Sequence, residues 1–438
     1  MKFRPHQLES VERAVAAMEG GGGFCIFTEQ RTGKTAIAVE IARQLAPKAL
    51  WVICPKVAIP VWKKALKGRR IPVEVVNYEA VVARRREWYE RARATPDLMI
   101  VADESHFLKT RGSSRSRVVR HLGRSAKYRL ALTGTPLGQG LQDAWAQFDF
   151  IDPSIFGPYD DQVERSAHSK KIIREGFDST YIKWGGFKNH QIVGYRNERK
   201  FYRKFHAHSY RVTLQEARKL AGYVPFKLRF TRVYFDLTPR TQRIYDELEL
   251  KLKAVVNQRK IKAKNVLSCI AKLQQITGGF IINATEDGKE IIRIGFEKME
   301  KFHQVVKTLP PKSKFVVMAR YIHEIEAITA NLRSWGYRVK QVRGGIPYDG
   351  KFSEDAIVMQ IQSGMAVDMS QASTIIFYST DYSYFNYEQS RFRTLSFDTA
   401  TARYFSLLGR NTVDEVIYQA VTRKKNLAKL VCDTYRER

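Results

Sequence analysis

The chain has 438 residues, with 75 lysines and arginines against 44 acids, a net charge of +31, and 44% of its residues apolar. That length exceeds one typical core and points to two domains of roughly 150–200 residues each, with enough apolar content to bury a sizeable interior. No apolar run approaches the roughly 18–20 residues of a membrane span, and MKFRPHQLE lacks the apolar region of a signal peptide, so an intracellular protein without a membrane partner is expected. The positive charge is spread along the chain rather than held in one tail. It implies a polyanionic partner, most simply nucleic acid bound through its phosphates, with a merely soluble basic protein as the alternative. Cys25, Cys54, Cys269 and Cys432 are scattered in apolar stretches without C-x-x-C spacing and read as reduced core residues.

Arg4–Met18 places Leu8, Val11, Val15 and Met18 at helical spacing and stops at the glycine run Gly20–Gly23. Gln7 precedes the first apolar turn, where it either faces solvent or offers its amide to an adenine edge. Phe24–Thr35, FCIFTEQRTGKT, reads as a strand, a tight polar loop and the start of a helix over Ala36–Leu45. In a phosphate loop of this order, helix N-terminal N–H groups cradle phosphate oxygens, Lys34 supplies a point charge, and the Thr35 hydroxyl reaches Mg2+. Thr32 and Gly33 belong to the same nucleotide-binding loop. The pattern G-x-x-x-x-G-K-[ST] would put its first glycine where Thr28 stands, so an ordinary strand–helix turn is the competing reading.

Ala49–Cys54 (ALWVIC) is a continuous apolar run ended by Pro55, the pattern of a strand buried on both faces of a parallel sheet. Val73–Val76 is a second candidate. Leu98–Ala102 (LMIVA) runs directly into Asp103-Glu104-Ser105-His106. Ligands of open α/β sheets sit beyond the C-terminal strand ends, so Asp103 there suits Mg2+ and Glu104 suits a water-activating role, although adjacent acids in a turn are often only solvated. Tyr128–Thr133 is a further strand, followed by Gly134-Thr135-Pro136.

Three strand ends carrying T-G-K-T, D-E-S-H and T-G-T-P, in that order, resemble the first RecA-like lobe of a superfamily-two helicase. The continuation LTGTPLGQGLQDAWAQFDFIDP resembles its Swi/Snf-type branch, and WGGFKNHQIVGYRN resembles segments of small, phage-type members. By this resemblance Gln7 matches the adenine-reading glutamine and Pro55–Trp62 (PKVAIPVW) the strand-contacting segment. The expected fold is α/β: two tandem RecA-like lobes with parallel sheets, plus a basic, aromatic-rich insertion. The expected domains are residues 1–152, 153–225 and 226–438. The middle segment interleaves Tyr, Trp, Phe, Lys and Arg, which suits either a nucleic-acid groove or the small core of an insertion. Its histidines, including His168, His190, His206 and His208, share no ligand spacing.

From Phe226 a new unit begins with the alternating strand KLRFTRVYFDL, a helix from Thr238-Pro239 to about Val256, the basic run Asn257–Lys264, and a helix over Val266–Ile276 resembling the family's L-x-x-L-x-Q segment. Lys314–Met318, Tyr337–Val342, Ala356–Ile361 and Thr374–Tyr378 read as strands, with a helix over Ile322–Leu332. Gln362–Met369 resembles the family's G-x-G-L-N-L motif, with Ala366 and Asp368 where that pattern has glycine and asparagine. In Tyr387–Arg393 (YEQSRFR), Gln389 and Arg393 fit the last helicase motif. Its second arginine slot holds Ser396, which leaves Arg391 as the other nearby guanidinium. Thr412–Val431 resembles the family's closing helix.

The resemblance implies an ATP-dependent DNA translocase that binds ATP and Mg2+ between two lobes. It places Lys34 on the phosphates, Thr35 and Asp103 on Mg2+, Glu104 on water, and Arg393, with Arg391, on the transferring phosphoryl group. Duplex or branched DNA, including RNA-containing hybrids, is the expected partner, and the chain is expected to be a monomer in its basal form in the cytoplasm of a bacterial or phage-infected cell. The rival readings are a nucleic-acid-binding scaffold with a decayed ATPase, motivated by Thr28, Asp368 and Ser396, and the motor subunit of a restriction system.

Overall fold

In the computed structural model the chain divides by its internal packing into two units, Met1–Pro225 and Phe226–Arg438. The structure describes every residue except 1–2, 69, 139, 166–170, 186–190, 257–262, 286–287, 345–351, 363–368 and 424–438. The first unit is built on a six-stranded sheet from β1 (Gly22–Thr28), β2 (Ala49–Cys54), β3 (Val73–Asn77), β4 (Leu98–Asp103), β5 (Tyr128–Leu132) and β10 (Ser209–Val212), with two hairpins, β6–β7 (Gln162–Arg165, Lys171–Arg174) and β8–β9 (Ile182–Gly185, Gln191–Tyr195), between the last two. Every neighbouring pair in the order β10-β1-β5-β4-β2-β3 is parallel. The C-terminal ends of β1, β5 and β4 therefore lie side by side.

The central strands are continuous apolar runs because helices cover both sheet faces. All six residues of β2 are buried, as are the first five of β4. Helix α1 (Pro5–Met18) buries Val11, Ala14 and Met18, a stripe at helical spacing, and opens with proline, whose missing N–H costs nothing there. Helix α2 (Lys34–Leu45) buries Ile37, Ala38, Ile41 and Ala42.

Residues 153–225 supply the edge strand β10 and add Phe156, Phe177, Tyr181, Ile182, Phe201 and Phe205 to the core of the first unit. Phe205 stacks on Phe27 of β1 at 5.1 Å and meets Phe148 at 5.3 Å. These aromatics face inward, whereas Lys183, Arg196, Arg199, Lys200, Arg203 and Arg211 remain exposed, beside Trp184 and Tyr202. Packing and charge are thus divided between two faces of one segment. His168 and His190 lie outside the described residues.

The second unit carries β11 (Lys227–Phe235), the hairpin β12–β13 (Phe280–Thr285, Gly288–Arg293), β14 (Phe315–Ala319), β15 (Val339–Val342), β16 (Ala356–Gln360), β17 (Thr374–Phe377) and β18 (Thr401–Gly409). Its six-stranded sheet has the order β11-β18-β17-β14-β16-β15, again parallel throughout. Two α/β units with parallel six-stranded sheets, in tandem, give the expected RecA-like architecture. Strand β18, between β17 and the edge strand β11, was not expected from the sequence. The basic run at 257–262 and residues 363–368, which include Ala366 and Asp368, lie outside the described residues. Among the described residues Cys25, Cys54 and Cys269 are free thiols, and no helix is long and apolar enough to cross a membrane.

Candidate functional site

The loop between β1 and α2 turns through Arg31 at φ 68° and Gly33 at φ 91°. A Cβ on Gly33 would stand 2.2 Å from Gln7 Nε2, so both the backbone angle and the close approach of Gln7 require glycine. Gln7 Nε2 donates to the Thr32 carbonyl at 3.0 Å, and Gln7 Oε1 accepts from Arg4 N at 2.9 Å. His6 Nε2 meets the same Thr32 carbonyl at 2.9 Å. The first turn of α1 thus braces the loop from behind.

Thr28 explains how the loop closes without the pattern's first glycine. It is the last residue of β1, still in register with Val212, and its buried hydroxyl accepts from Thr32 Oγ1 at 2.8 Å. The sharp turn has moved to Arg31 and Gly33. Lys34 Nζ donates to the carbonyls of Thr28 at 3.0 Å and Glu29 at 3.2 Å, which holds the ammonium over the loop. Thr35 follows on the first turn of α2, whose leading N–H groups have no intrahelical acceptor by helix geometry.

Asp103 ends β4 and Glu104 takes the left-handed conformation at φ 50°, which bends the chain sharply at the C-terminal end of the strand. Asp103 Oδ2 accepts from the Trp62 indole at 2.7 Å, and Oδ1 accepts from Glu104 N at 3.0 Å. Burial and the adjoining Glu104 charge push the Asp103 carboxyl up to about 6, against the Trp62 hydrogen bond and the Lys34 charge. Burial also works to raise Glu104, but the His106 hydrogen bond and the Lys34 charge outweigh it and hold Glu104 below the usual carboxylate range. Lys34 therefore acts electrostatically on both acids.

The third turn is tied to the second. His106 Nδ1 lies 3.2 Å from Glu104 Oε2 and 3.0 Å from Thr133 Oγ1, and Thr135 N donates to Thr133 Oγ1 at 3.2 Å. Ser105 Oγ donates to Gln147 Oε1 at 2.7 Å, and Gln147 Nε2 donates to the Pro136 carbonyl at 2.9 Å. A Cβ on Gly134 would lie 3.3 Å from Gln30 N, so this turn also packs against the phosphate loop. Asp103, Glu104, Thr133 and their bracing residues form one hydrogen-bonded group along two adjacent strand ends, and Lys34, bonded to the Thr28 and Glu29 carbonyls at the neighbouring third, acts on both acids through its charge.

Oxygen donors at Asp103 and Thr35 are the hard ligands that Mg2+ takes, and two repelling carboxylates beside a lysine favour an added cation with its phosphates. The glycine cradle at Gly33, the Lys34 ammonium and the opening of α2 suit a polyphosphate. The residues present fit Mg2+-bound ATP.

Three contributions to the site escaped the sequence reading, which placed Trp62 only on the strand-contacting segment. Trp62 reaches Asp103 from a helix 41 residues away, His6 supports Thr32, and Gln147 bridges two turns. Gln147 shares its helix with two other buried polar residues, Asp143 and Asp149, so its polarity alone did not single it out.

The other predicted residues belong to the second unit. Gln389 is buried on the helix Tyr384–Arg391. Arg393 follows on the short turn Phe392–Thr394 and is 5% exposed, with its carbonyl accepting from Met369 N at 3.1 Å. Arg391 is ion-paired with Glu388, and its guanidinium lies 4.6 Å from the Phe230 ring and 5.6 Å from Tyr404. Ser396 N donates to Thr399 Oγ1 at 2.8 Å, so the second arginine slot holds a turn-forming serine.

The family described as the SNF2-related domain matches residues 64–278, a span that begins after the Gly33-Lys34-Thr35 loop and runs into the second unit. An uncharacterised ATP-dependent helicase of Mycoplasma genitalium is 21% identical over 98% of this chain and 42% of its own length. The chromodomain-helicase-DNA-binding protein 1-like protein of Mus musculus is 21% identical over 99% of this chain and 50% of its own. A SWI2/SNF2 ATPase core of Sulfolobus solfataricus, determined in complex with dsDNA, aligns at a TM-score of 0.44 and 19% identity, covering 99% of this chain and 92% of that one. The chain spans about half the length of the curated relatives it matches. The SNF2-related domain match and these similar ATP-dependent helicases support a superfamily-two, Swi/Snf-type protein.

Proposed function

We propose that the protein is an ATP-dependent DNA translocase. The observation that carries this reading is the linkage of the phosphate loop, the Asp103-Glu104 turn and the Thr133–Pro136 turn by hydrogen bonds and packing along adjacent ends of one parallel sheet. Lys34 holds the β/γ-phosphates, Thr32, Gly33 and Thr35 supply the cradle, and Gln7 reads the adenine edge by exchanging its internal hydrogen bonds. Thr35 and Asp103 hold Mg2+, which when bound offsets charge on the transferring phosphoryl group. Glu104, ionised and oriented by His106, accepts a proton from the attacking water. Arg393 of the second unit stabilises the developing charge, with Gln389 beside it in sequence, while Arg391 is built into an aromatic cage and serves structure first.

The exposed lysines Lys56, Lys63, Lys64 and Lys67 and the basic outer face of residues 153–225 suit a phosphate backbone without base readout. Duplex or branched DNA, with or without an RNA strand, is the proposed track, and the basal form is a cytoplasmic monomer. The test is the rate of ATP hydrolysis with no nucleic acid, single strands, duplex, branched DNA and an RNA–DNA hybrid at one salt concentration. The reading expects the largest stimulation by duplex-containing DNA. A rate indifferent to every nucleic acid would sink it.

A further inference from the structure

Helix α3 (Ile59–Ala65) follows β2 through Pro55 and the short turn Lys56–Ala58, and Trp62 is its one buried residue. Everything else of charge on this segment faces out: Lys56, Lys63, Lys64 and Lys67 are exposed, with Val57 and Val61 at 48% each. Trp62 itself is 1% exposed, and its indole N–H is spent on Asp103 Oδ2. Since Asp103 Oδ1 accepts from Glu104 N and the Tyr78 hydroxyl donates to the Asp103 carbonyl at 2.6 Å, the carboxylate is fixed at both oxygens and at its backbone.

A buried indole N–H generally finds an acceptor, so a hydrogen bond alone would be unremarkable. The same unit supplies a contrast. Trp88 is 2% exposed and packs edge-on against Trp51 at 5.0 Å, yet its N–H meets no acceptor among the described residues. Trp88 fills space. Trp62 instead joins the basic segment to the carboxylate proposed for Mg2+ through a single rigid ring, and a shift of α3 by well under an ångström would stretch its 2.7 Å bond beyond hydrogen-bond range.

We propose that Trp62 is a positioning residue that couples occupancy of the basic face of α3 by a phosphate backbone to the hold of Asp103 on Mg2+. The inference rests on the translocase reading and adds to it the route by which DNA reaches the nucleotide site within the first unit. Hydrogen bonds to a ligating carboxylate typically change metal affinity about 10–100-fold when removed. Because coupling is reciprocal, DNA should tighten Mg2+-dependent nucleotide binding as much as that binding tightens DNA.

The test uses the full chain and a fluorescent, non-hydrolysable ATP analogue, titrated with Mg2+ with and without a short duplex. Thermal unfolding is recorded alongside. In the unchanged protein the duplex lowers the Mg2+ concentration needed for half-maximal binding. In Trp62→Phe that concentration rises about tenfold or more and no longer responds to duplex. Trp88→Phe loses thermal stability while keeping both the midpoint and its response. If Trp62→Phe does not fold, benzothienylalanine at position 62, which replaces the N–H by sulfur at constant shape, carries the same comparison. A Trp62 variant with the unchanged midpoint and duplex response overturns the proposal, as does an unchanged protein that binds the analogue with no duplex effect. An unchanged protein that binds no nucleotide overturns the translocase reading itself.

Discussion

The two units share a parallel six-stranded sheet but treat their candidate functional residues in opposite ways. In the first, Lys34, Asp103, Glu104 and Thr133 are held near one another by their own unit, each with a bracing partner. In the second, Arg391 is locked by Glu388 and an aromatic cage, and Arg393 is 5% exposed on a short turn. In the proposed function the nucleotide-binding and proton-accepting residues all belong to the first unit, and Arg393 is the second unit's contribution to hydrolysis. Nucleotide binding should therefore depend on the first unit, and hydrolysis on both.

The largest effect is expected at Lys34. Lys34→Ala removes phosphate binding and transition-state stabilisation together, so DNA-stimulated hydrolysis should fall to the background rate and binding of an ATP analogue should be lost. Duplex affinity, measured by anisotropy, should hardly change. Arg393→Ala sharpens the contrast: hydrolysis should drop about 10³-fold, the scale of an arginine finger, with analogue binding within about twofold of the unchanged protein. Loss of binding in that variant would place Arg393 in the cradle rather than at the transition state.

Arg391→Ala should act mainly on stability. Losing a partly desolvated guanidinium–aromatic contact and an ion pair should cost about 1–2 kcal/mol in the unfolding of the second unit, read by denaturant titration, with a much smaller effect on hydrolysis than Arg393→Ala. An equal catalytic loss would reverse the assignment of the two arginines. The smallest effect concerns His6, whose burial lowers its affinity for a proton, against the Thr32 hydrogen bond that raises it. A folded-state value below the unfolded one means that its stabilising contribution is complete above about pH 6.5 and is lost as pH falls through the folded value. Thermal unfolding of His6→Phe should accordingly be less sensitive to acidification between about pH 7 and 5 than that of the unchanged protein.

Much of the fold could be read because buried parallel strands announce themselves as apolar runs with abrupt ends. ALWVIC before Pro55 and LMIVA before Asp103 are of this kind, and both are strands of the first sheet. Strand β18 went unread because Arg403 and Ser406 interrupt TARYFSLLG, giving a half-alternating pattern that only its place between β11 and β17 explains. Strand β10, at four residues, is too short to show a period. The division of residues 153–225 into an inward aromatic face and an outward basic face was equally hidden, since composition does not say which way a side chain turns.

The site follows the same logic. Residues within a turn, such as Gly33-Lys34-Thr35 and Asp103-Glu104, could be named from local spacing. Their bracing contacts could not, even where, as for Thr133, the strand end itself was recognised by resemblance. Trp62, Gln147 and Thr133 reach the Asp103–His106 turn across 41, 42 and 27 residues, and no spacing rule encodes a contact set by strand order. Thr28 shows the reverse case. A departure from the expected glycine pattern is accommodated once the turn is seen to lie at Arg31 and Gly33 instead.

The most direct test of the central claim is hydrolysis and binding by Glu104→Gln in the presence of duplex DNA. This substitution keeps the shape and hydrogen-bonding reach of the side chain while removing the base. The account predicts that the variant binds the ATP analogue and duplex like the unchanged protein and loses about 10²–10⁴-fold in DNA-stimulated hydrolysis. Hydrolysis at the unchanged rate would contradict it.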